Sequence, residues 1–137
     1  MGILSLSLNH RVTPLEVREA MVFHQEDAER FLKMVTERSQ ASEAMLVSTC
    51  NRTELYTVYE PCPGKDHDRE LLGLLSEVRG FVAVEEPRNY AVCEGEDAVR
   101  HLFRVAGGLE SQILGESQIL GQLKTALVWG QASRTAG

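Results

Sequence analysis

The amino-acid sequence predicts an α+β fold in which helices cover one face of an antiparallel sheet. Three observations predict it. Short β-rich runs bounded by polar residues alternate with amphipathic segments of helical period. Their order is strand, helix, strand, strand, helix, strand, which is typical of a ferredoxin-like split βαβ sandwich. The 137 residues, 43% hydrophobic and 25% charged, have the composition of a globular domain with one core.

The first half of the predicted fold contains three strands and two helices. Alternation of apolar residues with serine predicts a half-buried strand over residues 3–8. Thr13 is the predicted N-cap of a short helix that begins at Pro14. An amphipathic helix is expected over residues 26–38, followed by one strand on each side of Cys50. The buried stripe of the longer helix should consist of Ala28, Phe31, Leu32 and Val35.

The next segment should complete the sandwich. A proline- and glycine-rich turn at 61–65 separates the strand pair from a helix expected over residues 68–79. Gly80 should end that helix, because glycine favours the position just after a helix. A last strand is expected over residues 89–93. Together these elements account for the sheet and for the helices that cover it.

The remaining chain is expected to be helical. A helix is predicted over residues 96–106, and at about 100° per residue His101 falls opposite its apolar stripe. A six-residue stretch is repeated almost unchanged within 111–122 and runs into a long predicted C-terminal helix. We therefore divide the chain into a ferredoxin-like unit, 1–95, and a helical segment, 96–137. The expected apolar stripe of the first of these helices is Val99, Leu102, Phe103 and Ala106.

Cys50 is the candidate nucleophile of the sequence. It lies between two predicted strands, where a reactive group can be exposed on a rigid support. A free cysteine titrates near about pH 8.5, and a nearby cation lowers that value by stabilising the thiolate. Arg52 could supply the cation, or could clamp a substrate carboxylate with its planar fork. The same pattern also fits a small buried cysteine beside a solvated arginine.

Charge and cysteine usage narrow the functional classes. A net charge of −6 and a pI of about 5.2 argue against general binding to a nucleic-acid backbone, although one RNA could be contacted locally. The three cysteines and four histidines lack metal-ligand spacing, which predicts no metal site and favours a reducing cytoplasm. No signal peptide is expected, and no apolar run approaches the roughly 20 residues of a membrane span.

Four motifs stand in order along the chain. They are Asn-His-Arg-Val-Thr-Pro at 9–14, Ser-Thr-Cys-Asn-Arg-Thr-Glu at 48–54, His-Leu-Phe-Arg-Val-Ala-Gly-Gly-Leu-Glu-Ser at 101–111 and Leu-Gly-Glu-Ser-Gln-Ile-Leu-Gly-Gln at 114–122. Together they resemble the N-terminal catalytic domain of glutamyl-tRNA reductase. The resemblance covers the whole chain, and four motifs in order are far more specific than any one of them. It departs from the family pattern at Ser117, where proline is frequent, and at Thr13, where alanine is frequent.

The resemblance implies a catalytic role for Cys50 and supporting roles for other motif residues. In that family a cysteine thiolate attacks the ester of glutamyl-tRNA, and the resulting thioester is reduced to glutamate-1-semialdehyde, the entry to tetrapyrrole synthesis. His101 would act near the thioester as a proton-transfer group or as an orienting group. We further infer that Arg52 suits the substrate carboxylate and Glu116 its amine. The implied substrate-binding residues are Thr49, Arg52, Ser111, Glu116 and Gln122.

The resemblance also implies a longer enzyme. The family continues into an NADPH-binding domain and a helical dimerisation domain, so we expect residues 1–137 to be an excised catalytic domain whose last helix begins the connecting spine. The sequence has no strand followed by G-x-G-x-x-G, so the fragment itself should bind no cofactor and be at most a slow esterase. The implied partners are glutamyl-tRNA, a second copy of the enzyme and possible channelling to the semialdehyde aminotransferase, with no membrane.

Two rival functions remain open from the residues alone. One is a ferredoxin-like module that contacts RNA without chemistry, which the acidity and the lack of interleaved aromatic residues disfavour. The other is a stand-alone thiol hydrolase that uses a Cys50–His101 pair. The reactivity of the thiol tests the first rival, and the fate of the glutamyl group when NADPH is added to the complete protein tests the second.

Overall fold

The computed structural model describes residues 2–49, 51–80 and 89–106, and these residues form an α+β fold, as predicted. No helix within these ranges is long and apolar enough to cross a membrane. Cys50, the repeat at 111–122 and the predicted C-terminal helix lie outside the described residues. In chain order the elements are β1 (Gly2–Asn9), α1 (Leu15–Ala20), α2 (Gln25–Arg38), β2 (Ala41–Ser48), β3 (Arg52–Tyr59), α3 (His67–Arg79), β4 (Ala91–Glu94) and α4 (Glu96–Ala106).

The four strands form one sheet in the order β2-β3-β1-β4, and every neighbouring pair is antiparallel. Leu55 of β3 lies opposite Leu46 of β2 and Leu6 of β1, and Leu6 lies opposite Val92 of β4. This row of apolar side chains crosses the whole sheet on one face. Because side chains alternate along a strand, the residues before and after each of these point to the other face.

Helices α2 and α3 cover the apolar face of the sheet. The four predicted core residues of α2 are all buried, so its stripe is confirmed. Helix α3 ends where expected, since Gly80 adopts the left-handed conformation with φ 62°, which glycine tolerates without strain. The core of this layer includes Leu4, Leu6, Leu8, Phe31, Leu32, Leu46, Leu55, Leu71 and Leu75.

The predicted N-cap of α1 is wrong. Pro14 precedes the helix, and no side chain caps it. The Thr13 hydroxyl instead accepts the backbone N–H of Asn9 at 3.0 Å and donates to the carbonyl of Asn89 at 2.6 Å. Thr13 is buried, so its hydroxyl stabilises the fold more by pairing with two backbone groups than it would by capping an exposed helix end. It ties the end of β1 to the segment that precedes β4.

The apolar stripe predicted for α4 is also wrong, although the bounds of the helix are as predicted. Its buried residues are Ala98 and Val105, and Leu102 packs partly against the sheet, whereas Phe103 is 71% exposed. With this orientation His101 lies on the face that packs against the sheet, not on the opposite face. The cause is the polar surface that the sheet presents to α4, which binds the histidine ring.

Candidate active site around Glu54

The turn between β2 and β3 is fixed by hydrogen bonds on both sides of position 50. The N–H of Thr49 donates to the carbonyl of Arg52 at 2.7 Å. In return, the Thr49 hydroxyl accepts the N–H groups of Asn51 and Arg52, both at 3.2 Å. Ser48 anchors the turn to the helical layer by accepting the N–H of Phe23 at 2.8 Å. Thr49, a predicted substrate-binding residue, is therefore engaged in shaping the turn.

Arg52 begins β3, and its side chain lies on the sheet face that α4 covers. The alternative interpretation of Arg52 as a solvated arginine is wrong, because the side chain is only 4% exposed. Nη1 donates to Oε2 of Glu54 at 3.0 Å, forming a buried ion pair. The two residues share a face because they are two positions apart on one strand. Arg52 thus has a structural partner in addition to any role with substrate.

Glu54 is fully buried and is hydrogen-bonded to four side chains. Besides the hydrogen bond from Arg52, Oε2 accepts one from Oγ of Ser7 at 2.5 Å, and it contacts Nε2 of His101 at 2.6 Å. Oε1 accepts a hydrogen bond from the hydroxyl of Tyr56 at 2.7 Å. One carboxylate therefore joins β1, β3 and α4. It also brings together Arg52 and His101, two of the residues that the sequence proposed for the site.

The electrostatics of this carboxylate favour its ionised form. Burial alone would raise the pKa of Glu54, but the hydrogen bond and charge of His101, the charge of Arg52 and the Ser7 hydroxyl hold it below its ordinary value. Burial and the charge of Glu54 raise the pKa of the Tyr56 phenol, so the phenol keeps its proton and donates it. The group is thus a buried anion that Arg52, a permanent cation, and three further side chains hold in place.

The polar contacts continue from Glu54 to the loop after β1. Nδ2 of Asn9 donates to Oγ of Ser7 at 2.7 Å, and Oδ1 of Asn9 accepts the backbone N–H of Arg11 at 2.9 Å. The motif at 9–14, whose function the sequence left open, is therefore connected to the carboxylate. We call these residues the Glu54 cluster: Ser7, Asn9, Arg52, Glu54, Tyr56 and His101.

Several expected site residues cannot be placed relative to this cluster, because Cys50, Ser111, Glu116 and Gln122 lie outside the described residues. Sequence reasoning missed the residues that organise it. The signal was present as polar residues at every second position of two strands, Ser5, Ser7 and Asn9 on β1 and Arg52 and Glu54 on β3. Such alternation is usually taken as a solvated face. Within the described ranges, no group of three or more His, Cys, Asp or Glu side chains could hold a metal ion.

Comparisons with known proteins give the family. The family model described as "Glutamyl-tRNAGlu reductase, N-terminal domain" matches residues 6–137. The chain is 37% identical over 138 residues to glutamyl-tRNA reductase of Brevibacillus brevis, covering all of this chain and 30% of that protein. It is 42% identical over 137 residues to glutamyl-tRNA reductase of Rubrobacter xylanophilus, covering all of this chain and 31% of that protein.

A solved structure agrees with the sequence comparisons. Glutamyl-tRNA reductase from Methanopyrus kandleri superimposes with a TM-score of 0.72 at 30% identity, over 98% of this chain and 29% of that one. The chain thus spans about 30% of the length of the relatives it matches. A match that extends over nearly every residue of the chain, in sequence and in fold, shows that the chain belongs to the glutamyl-tRNA reductase family, as its N-terminal domain.

Proposed function

We propose that the protein to which this chain belongs is a glutamyl-tRNA reductase and that this domain carries out its acyl-transfer step. The thiolate of Cys50 attacks the carbonyl carbon of the ester that joins glutamate to the tRNA 3′ end. A thioester forms on Cys50, and the tRNA hydroxyl leaves with a proton. In the complete enzyme the thioester is then reduced to glutamate-1-semialdehyde, the first step of tetrapyrrole synthesis.

The observation that carries this proposal is the meeting of Arg52 and His101 on Glu54. The two residues lie far apart in sequence, yet both contact one buried carboxylate four positions after Cys50. A nucleophile between strands, a cation two residues later and a histidine held nearby form a combination suited to acyl transfer. The substrate-binding roles of Thr49, Ser111, Glu116 and Gln122 form part of the same proposal.

The described residues do not fit NADPH, which the family's reaction implies. A pyrophosphate binds best at a helix N-terminus that lacks negative charge. Every described helix carries at least one carboxylate in its first turn, so its N-terminus opposes a phosphate group. We therefore assign NADPH to another part of the complete enzyme and derive no step through it here. The carboxylates are Glu16 in α1, Glu26 and Asp27 in α2, Asp68 and Glu70 in α3, and Glu96 and Asp97 in α4.

The test of this proposal is the mass of the protein after exposure to glutamyl-tRNA. We expect a glutamyl adduct on the peptide that contains Cys50, released by hydroxylamine as a thioester would be. Cys50→Ser should abolish the adduct, whereas the matched variant Cys62→Ser, which changes an exposed thiol, should leave it unchanged. An adduct on another residue, or none with the complete protein, would refute the proposal. Free glutamate formed at the same rate with or without NADPH would favour a thiol hydrolase.

Broader properties of the family are also proposals for this protein. We propose a ferredoxin-like unit over residues 1–95, which the strand order supports, and a helical segment over 96–137 that ends in a long helix. We further propose a homodimeric enzyme in the cytoplasm that passes its semialdehyde to an aminotransferase. This chain alone should hydrolyse glutamyl-tRNA slowly at most.

A further inference from the structure

The Glu54 cluster has a fixed direction of hydrogen bonding. A backbone N–H can only donate, so the contact from Arg11 makes Oδ1 of Asn9 the acceptor and fixes the orientation of the amide. Nδ2 of Asn9 must then donate to Oγ of Ser7. Since Oγ of Ser7 accepts that hydrogen, its own single hydrogen is directed to Oε2 of Glu54. A backbone donor in the loop thus sets the polarity of the whole series.

The same reasoning applies to the other side of the carboxylate. The Arg52 guanidinium contains only hydrogen-bond donors, and the Tyr56 hydroxyl retains its hydrogen. Both groups therefore donate to Glu54. With Ser7 included, three donors already converge on a carboxylate that is 0% exposed. Ser7 and Arg52 both donate to Oε2, so a proton on that oxygen would have to displace one of them, and Oε2 remains an acceptor. Its remaining partner, Nε2 of His101 at 2.6 Å, must therefore carry a hydrogen.

We infer that Glu54 is a positioning residue that holds His101 as the Nε2–H tautomer, so that Nδ1 is the ring nitrogen that exchanges protons with the reacting groups. The inference rests on the proposed acyl transfer and identifies the atom of His101 that serves it. The ring is placed between the sheet and solvent, with 15% of its side chain exposed. Because Nε2 is held by Glu54, Nδ1 is the ring nitrogen left for proton exchange.

The proton balance of the acyl transfer fits this assignment. In the proposed reaction Nδ1 would accept the proton of the Cys50 thiol as the sulfur forms a bond to the glutamyl carbonyl carbon and the ester C–O bond breaks. The proton then passes from Nδ1 to the departing tRNA oxygen, so the ring returns to its neutral form. Throughout the cycle Nε2 keeps its hydrogen and donates it to Oε2 of Glu54. The carboxylate stabilises the transient imidazolium by its charge and fixes the orientation of the ring.

The test is the tautomeric state of His101 in the complete protein, labelled with ¹⁵N on its histidine rings. Long-range ¹H–¹⁵N correlation spectra distinguish the protonated ring nitrogen from the unprotonated one, and a His101→Gln variant assigns the signals. Above the titration of the ring, the wild-type protein should show hydrogen on Nε2 and none on Nδ1. The opposite tautomer would overturn the inference, whatever the enzyme's activity.

Glu54→Gln provides the second arm of the test. Ser7, Arg52 and His101 all meet Oε2, so the amide oxygen should take that place and the NH₂ group should turn to the Tyr56 hydroxyl, which can accept. Nε2 should then keep its hydrogen, but the negative charge that stabilises the transient imidazolium is lost. The rate constant for acylation of Cys50 should fall about 10²–10⁴-fold, the range of a positioned acid–base group, with little change in KM. A merely structural role would lower stability without lowering the acylation rate constant of the folded protein, so an unchanged rate constant in this variant would overturn the inference.

The matched control is Glu70→Gln. Glu70 contacts Nδ1 of His67 at 3.3 Å, so it forms a second glutamate–histidine pair, on the opposite side of the sheet. This change should alter neither the His101 signals nor the acylation rate. If the wild-type ring has the expected tautomer but the protein acquires no glutamyl group, the proposed function fails while the hydrogen-bond assignment stands. The two failures are therefore distinguishable.

Discussion

Replacing Arg52 by methionine should destabilise the domain substantially. Methionine retains most of the length of the side chain but removes the cation that pairs with Glu54 at 3.0 Å. Arg52 is 4% exposed and Glu54 is 0% exposed, so water cannot replace the lost partner. Removing one member of a buried ion pair typically costs about 3–5 kcal/mol, because the other charge is left unpaired. We expect a loss in that range in urea titrations followed by far-ultraviolet circular dichroism.

The chain offers a matched control for that measurement. Arg38 donates two hydrogen bonds to Glu77, at 3.0 and 3.1 Å, but these side chains are 51% and 55% exposed. Water and salt screen such a pair, so Arg38→Met should hardly change the free energy of unfolding. The hydrogen-bond distances of the control pair match that of the buried pair. A larger loss of stability for Arg52→Met than for Arg38→Met is therefore expected from the burial of its ion pair.

A double variant separates the lost charge from the lost packing. In Arg52→Met/Glu54→Gln the buried carboxylate is also neutral, so the double variant should be more stable than Arg52→Met alone. Equal losses for Arg52→Met and Arg38→Met would refute this reasoning. So would a double variant that is less stable by the sum of the two single losses, since independent sites add.

Three further predictions concern titrating and reactive groups. Alkylation should label Cys50 before the exposed Cys62, as peptide mapping would show, and earlier labelling of Cys62 would mean that exposure decides reactivity. The pKa of Glu54 lies below its ordinary value of 4.5, so its stabilisation is complete above that pH and is lost as the pH falls through the lower folded-state value; Glu54→Gln should flatten that part of the profile. Burial lowers the pKa of His67 below 6.5, so the folded state binds fewer protons there and stability should fall as the pH drops below 6.5, a slope that His67→Gln should remove.

The parts of the fold that the sequence predicted are those with one dominant physical cause. The stripe of α2 was correct because its apolar residues recur with helical period and face the mainly apolar side of the sheet. The end of α3 at Gly80 was correct because the left-handed position selects glycine for local steric reasons. In both cases the decisive interactions lie within one element or follow directly from its period.

The face of α4 could not be predicted because its partner surface is itself polar. The spacing of apolar residues in α4 favoured a buried stripe through Phe103. The sheet, however, presents Glu54 where α4 packs, and burying a carboxylate without hydrogen-bond donors costs more free energy than leaving an apolar side chain exposed. His101 therefore turns inward, and Phe103 is left exposed. The missed information is not local, since it resides in the pairing of β1 with β3, which brings Ser7 opposite Glu54.

The polar face of the sheet argues for function on energetic grounds. A buried ion pair is weak evidence for stability, because apolar residues of similar volume often serve the fold as well or better. In this domain one sheet face has an apolar core, whereas the other buries a carboxylate with four donors. Packing alone does not require such an arrangement. Fixing Arg52 and His101 in one geometry beside the β2–β3 turn does require it, because a shared rigid acceptor orients both side chains before any substrate binds.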